Sequence, residues 1–182
     1  MVSITSLWLP ILLSGVCVWI ASALVWTVMP HRQKEFKQLP DEEAARRVLN
    51  AAPGEYFVPW GSSSAMKDPE YLGKYAEGPV GIVRIMPAGK PAMGKPMVLS
   101  VLYYLVVGVF VAYLTSRTVD PGAAYLTVSR VASVFAFAAY FFATVPDSIW
   151  FGKPWASTGK LLIEALVYGF LTGGMFGWLW PS

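Results

Sequence analysis

Gly89-Lys90-Pro91-Ala92-Met93-Gly94-Lys95-Pro96 has the Gly-x4-Gly-Lys spacing of a phosphate-binding loop. In such a loop backbone N–H groups cradle the phosphates and a hydroxyl after the lysine holds magnesium. Pro96 stands where that hydroxyl belongs, and Pro91 and Pro96 each lack an N–H that a phosphate nest uses. Neither nucleotide nor nucleic acid is expected as a partner, and Lys90 and Lys95 read as contacts to lipid headgroups. Gly61-Ser62-Ser63-Ser64-Ala65 approaches a nucleophile elbow but lacks the closing glycine. The single histidine, His31, lies beside Arg32 and Lys34 directly after an apolar run, the place of an interfacial residue rather than a metal ligand. Cys17 is the lone cysteine, so neither a disulfide framework nor a cysteine-rich metal site is expected, and no cofactor or catalytic residue is assigned.

Two ionisable residues lie inside apolar stretches. Arg130, nine residues beyond Pro121, falls about 13 Å along a helix that starts at that proline. An unpaired guanidinium there is costly, so it either snorkels to the headgroups or meets a polar headgroup or a partner's acid. Glu164 follows Lys160 by four residues, the spacing of an interfacial ion pair. These two sites are too few for a proton relay across a bilayer.

The elements that must position them are apolar spans. Of the 182 residues 55% are hydrophobic and 14% charged, against about a quarter charged in soluble domains. The net charge of +3 reflects basic residues flanking apolar runs, not the clustered face that binds nucleic acid. Four spans are predicted, at residues 4–29, 97–115, 121–145 and 160–180, each long enough for a hydrocarbon core of about 30 Å. Ala21-Ser22-Ala23 has the form of a signal-peptidase site, but residues 1–6 carry no Lys or Arg and the apolar run continues through Trp26 and Val28, so the first span is expected to be retained. Residues 30–96 form a polar segment with helices expected near 42–51 and 69–77, started by Asp41 and by Asp68-Pro69, and strand-like runs at 55–58 and 80–86. With few large apolar side chains, this segment is expected to be a small mixed cap lying against the membrane. The fold class is thus all-α integral membrane, with four transmembrane helices and the cap between the first and second.

Small residues recur on two spans. Ala165, Gly169, Gly173 and Gly177 make a stripe at every fourth residue, and Ser129, Ala132, Ala136, Ala139 and Ala143 make a seam at alternating three- and four-residue steps. Such surfaces let helix backbones approach closely in lipid. Ten of the fourteen basic residues fall within 30–96, which by the positive-inside rule places that loop in the cytoplasm and both termini outside.

Met66-Lys67-Asp68-Pro69, Gly78-Pro79-Val80-Gly81, Pro91-Ala92-Met93-Gly94-Lys95, Asp147-Ser148-Ile149-Trp150, Gly152-Lys153-Pro154-Trp155 and Phe176-Gly177-Trp178-Leu179-Trp180-Pro181 resemble stretches of small four-span bacterial inner-membrane proteins of uncharacterised role. The resemblance covers most of the chain and implies a bacterial inner-membrane setting, with no activity and no site residues. Beyond the lipid bilayer, the readings left are a structural or accessory subunit, associating with itself or with another membrane protein, and an embedded enzyme or carrier for a lipid or isoprenoid (quinone-like) substrate. A channel is disfavoured, because no span carries a polar stripe to line a pore.

Overall fold

The computed structural model describes residues 2–29 and 35–182; His31, Arg32 and Lys34 lie outside them. Four helical runs are long and apolar enough to cross a membrane: Ile4–Val28, Gly94–Thr118, Tyr125–Trp150 and Trp155–Trp178. The first opens as a 3-10 turn, Ile4–Leu7, and continues as α1, Trp8–Val28, with Pro10 in its first turn, where the missing N–H has no intrahelical partner to lose. The polar segment contributes α2, Glu42–Val48, β1, Gly54–Val58, α3, Pro69–Glu77, and β2, Gly81–Ile85. The second span is α4, Gly94–Thr118. The third joins α5, Tyr125–Phe141, through a 3-10 turn to α6, Val145–Trp150, and the fourth is α7, Trp155–Trp178.

The chain divides into two compact units. The first, residues 2–29 and 35–36 with 92–148 and 153–182, holds the helical spans. Its most extensive contact joins α5 to α7, followed by α1 to α4 and α1 to α7. Leu7, Val111, Ala112, Val128, Ala132, Ala136 and Phe176 are fully enclosed and form the core at one end of the bundle. Lipid tails are as apolar as these side chains, so dispersion between closely apposed helices, not escape from water, must hold the spans together.

The third and fourth spans depart from their expected limits. Asp120 and Pro121 do not start a helix; they belong to a turn in which Gly122 takes a φ of +71°, a conformation that glycine adopts without strain. Helix α5 begins four residues later at Tyr125. This turn is tied to the end of the chain, because Gly122 N donates to Pro181 O at 2.9 Å and Trp180 Nε1 donates to Asp120 O at 2.9 Å. At the other end, residues 146–159 are not all loop. Pro146 sits in the first turn of α6, after the 3-10 turn has already ended the α5 hydrogen-bond ladder, so the helical run persists to Trp150.

The second unit, residues 37–91 with 149–152, is a two-stranded sheet preceded by α2, with α3 in the connection between its strands. Strands β1 and β2 pair antiparallel with Tyr56 opposite Val83 and Glu55 opposite Arg84, whose side chains form an ion pair at 2.5 Å. Asp41 caps α2 by accepting from Ala44 N at 2.8 Å, and Asp68 caps α3 by accepting from Glu70 N at 2.9 Å. On α3 the Glu70 carboxylate accepts from Lys74 Nζ at 2.7 Å and holds the exposed ammonium above its ordinary pKa. Helix α2 stops at Val48, short of the expected residue 51, where the chain turns toward β1. No residue of 37–91 is buried, so this unit has no core of its own.

Candidate functional site

The glycine stripe of α7 lies against α5. A Cβ on Gly169 would fall 3.0 Å from Ser133 O, one on Gly177 2.8 Å from the Tyr125 ring, and one on Gly173 2.5 Å from Ser129 O while overlapping Ser133 Oγ. Ala165, on the same face, is 2% exposed. The facing surface of α5 includes Ser129 and Ser133, so the partner of the stripe is a line of serines beside the alanine seam. Within that seam Ala132 and Ala136 are buried, and Ser129 is half-buried.

Ala139 and Ala143, expected to continue the packed seam, are exposed instead. Ala139 matches the angular position of Ala132 on α5, so helix periodicity does not explain its exposure, whereas Ala143 lies in the 3-10 turn beyond the α5 ladder. Tyr103, Tyr104, Tyr140 and Tyr168 meet at this level, with ring centroids 5.3 to 6.3 Å apart and mostly edge-to-face. These four rings make the contact among α4, α5 and α7 at this level.

Arg130 is exposed, and with α5 starting at Tyr125 it lies only about 8 Å from the helix start, half the depth expected. Its stem easily reaches the headgroup region from there. Of the expected Lys160/Glu164 pair, Lys160 also reaches a second carboxylate and Glu164 is buried. Lys160 Nζ lies 3.1 Å from Glu35 Oε1, and Glu164 turns inward to 7% exposure, about 14 Å along α7 from Trp155. The phosphate-loop spacing makes no cradle, because Gly94 to Pro96 are already the first turn of α4.

Glu164 lines a cavity of about 150 Å³ together with Ser22 and Trp26 of α1, the four tyrosines, and Ala165 of α7. Ser22 of α1 lies beside the Tyr104 hydroxyl, and Thr172 beside that of Tyr140. Glu164 and Tyr168 also border a second, almost wholly apolar groove of about 300 Å³ between Val25 and Met29 of α1 and Ile163 and Val167 of α7. The groove is open to the outside of the bundle, since Ile163 is 64% exposed and Met29 and Val167 are exposed as well. An aromatic recess and an apolar groove thus have one carboxylate and one phenol in common in their walls. An acidic residue inside a span marks a functional position by default, because without one the energetic cost has no return. Among the described residues no three His, Cys, Asp or Glu side chains come together as a metal site.

The tyrosine cluster was not foreseen from the sequence. Its members come from α4, α5 and α7, and the one local signal is that these phenols fall within apolar spans, where each hydroxyl needs a polar neighbour. Comparison with known proteins yields no family model, curated protein or solved structure that matches the chain.

Proposed function

We propose that this multi-pass membrane protein binds an amphiphile, a lipid or isoprenoid (quinone-like) molecule, with its headgroup in the tyrosine recess at Glu164 and its chain in the groove between α1 and α7. The observation that carries the reading is that Glu164 and Tyr168 line both cavities. Their combined size falls in the range of ordinary small-molecule sites, roughly 300–1,000 Å³. Phenol and indole groups donate hydrogen bonds, the carboxylate and hydroxyls accept them, and ring faces pack on a flat headgroup. Exposed apolar side chains at the groove rim support approach from the surrounding leaflet rather than from water. The concentration of Lys and Arg within residues 30–96 supports an orientation with that segment cytoplasmic and both termini on the opposite face of a bacterial inner membrane.

The accessory-subunit reading keeps one specific support. Ala139 of α5 and Ala143 in the 3-10 turn after it present small exposed side chains, open to another helix. The glycine stripe gives it none, being occupied by α5 of the same chain.

Native mass spectrometry of the protein released from its own membranes distinguishes the two. A bound amphiphile near one per chain is expected, lost in Val167→Trp, which fills the groove, and weakened in Glu164→Gln. A stoichiometric protein partner, with lipid content unaffected by either substitution, would return the accessory-subunit reading.

A further inference from the structure

A folded segment of 55 residues with no buried side chain lacks the internal contacts that offset chain ordering, about 1–2 kcal/mol per residue for the backbone alone. The missing contacts must come from a surface outside the segment, and the chain itself restricts which surface is within reach. Pro91 is three residues from the start of α4, and Ile149–Gly152 of the same unit directly joins the third and fourth spans. Three extended residues cover at most about 10 Å, so Pro91 lies within that distance of the start of α4.

We infer that residues 60–77 form a bilayer-contacting face, inserted at the headgroup–acyl boundary by Trp60, Met66, Leu72 and Tyr75. Helix α3 is amphipathic in the required sense. Leu72 and Tyr75 lie on one side, and Glu70, Lys74 and Glu77 lie on the other, with the Glu70–Lys74 ion pair keeping that side charged. The Tyr71 ring occupies the space beside Gly61 and Ala65, which joins α3 to the Trp60 stretch within this unit. Trp60 is 80% and Met66 63% exposed, and Trp and Tyr are the side chains that favour the membrane interface. Residues 37–91 carry seven basic and seven acidic side chains, so insertion of apolar groups, not attraction to anionic lipid, drives the contact.

The test uses the full chain, as Cys17→Ser, reconstituted into zwitterionic phosphatidylcholine vesicles. Single cysteines replace Trp60, Met66, Leu72, Glu70, Lys74 or Glu77 in turn and carry a nitroxide. Oxygen, which concentrates in lipid, is expected to relax the first three labels several-fold more than a water-soluble nickel chelate does, with the order reversed for the last three. Equal access of the chelate to all six would overturn the inference by placing the face in water. Protection of the first three from both reagents would overturn it by placing them against protein. Because a label at residue 60 can disturb the turn, the unlabelled protein provides a second readout. Brominated lipid is expected to quench a component of tryptophan emission that Trp60→Phe removes, and an undiminished quenched component in Trp60→Phe would contradict the inference.

Discussion

A methyl group added at residue 173 has nowhere to go. Its carbon would lie 2.5 Å from a backbone oxygen of α5 and would overlap the Ser133 hydroxyl, so α5 and α7 would have to separate. Gly173→Ala is expected to cost about 1–3 kcal/mol, in line with overpacking of a closed interface. Gly159→Ala on the same helix meets nothing within 4 Å and should be neutral or slightly stabilising, by up to ~1 kcal/mol. Thermal unfolding of the two variants in the same detergent compares them directly, and equal midpoints would mean that the stripe is not a contact. The stripe was legible in the sequence because fourfold glycine spacing is itself a helix-face signal. The setting of Glu164 was not. Its spacing from Lys160 implies an interfacial pair but says nothing of its burial beside phenols of α4, α5 and α7, nor of the second carboxylate, Glu35, that Lys160 reaches. Local spacing cannot rank a partner four residues away against one brought near by folding.

At the scale of elements, apolar runs and caps were readable, and their ends less so. Asp68 and Pro69 start α3 where expected, because an N-cap carboxylate and a proline at the first helical position act locally. Asp120 and Pro121 carry the same signal but do not start α5, since Gly122 and the chain end draw those residues into a turn. The α3 cap can be tested alone. Asp68→Ala removes the acceptor for Glu70 N and is expected to cost about 1 kcal/mol, seen as roughly fivefold faster amide exchange across residues 69–77. Exchange in α4 should not change. The seam of α5 shows the same limit on reading one helix at a time. Ala139 has the right angular position but is exposed at the level where tyrosines of three spans meet, and Ala143 falls in the 3-10 turn that ends the helix.

For the whole molecule, four spans leave the polar unit and the turn at Gly122 on opposite faces of the membrane, and the end of the chain on the same face as that turn. The tyrosine recess lies toward the end of the bundle at which α1 finishes and α7 starts, since Trp26 is near the end of α1 and Glu164 lies in the first half of α7. The orientation and the binding reading are therefore linked through one topology. It is tested by three single cysteines in a Cys17→Ser background, at Ser63, Ala124 and Ser182, treated with a membrane-impermeant maleimide in intact spheroplasts and again after permeabilisation. Labelling of residues 124 and 182 from outside, and of residue 63 after permeabilisation alone, is the expected result. Labelling of residues 63 and 182 from the same face would contradict the account, because it requires an even number of crossings between them where the structure has three.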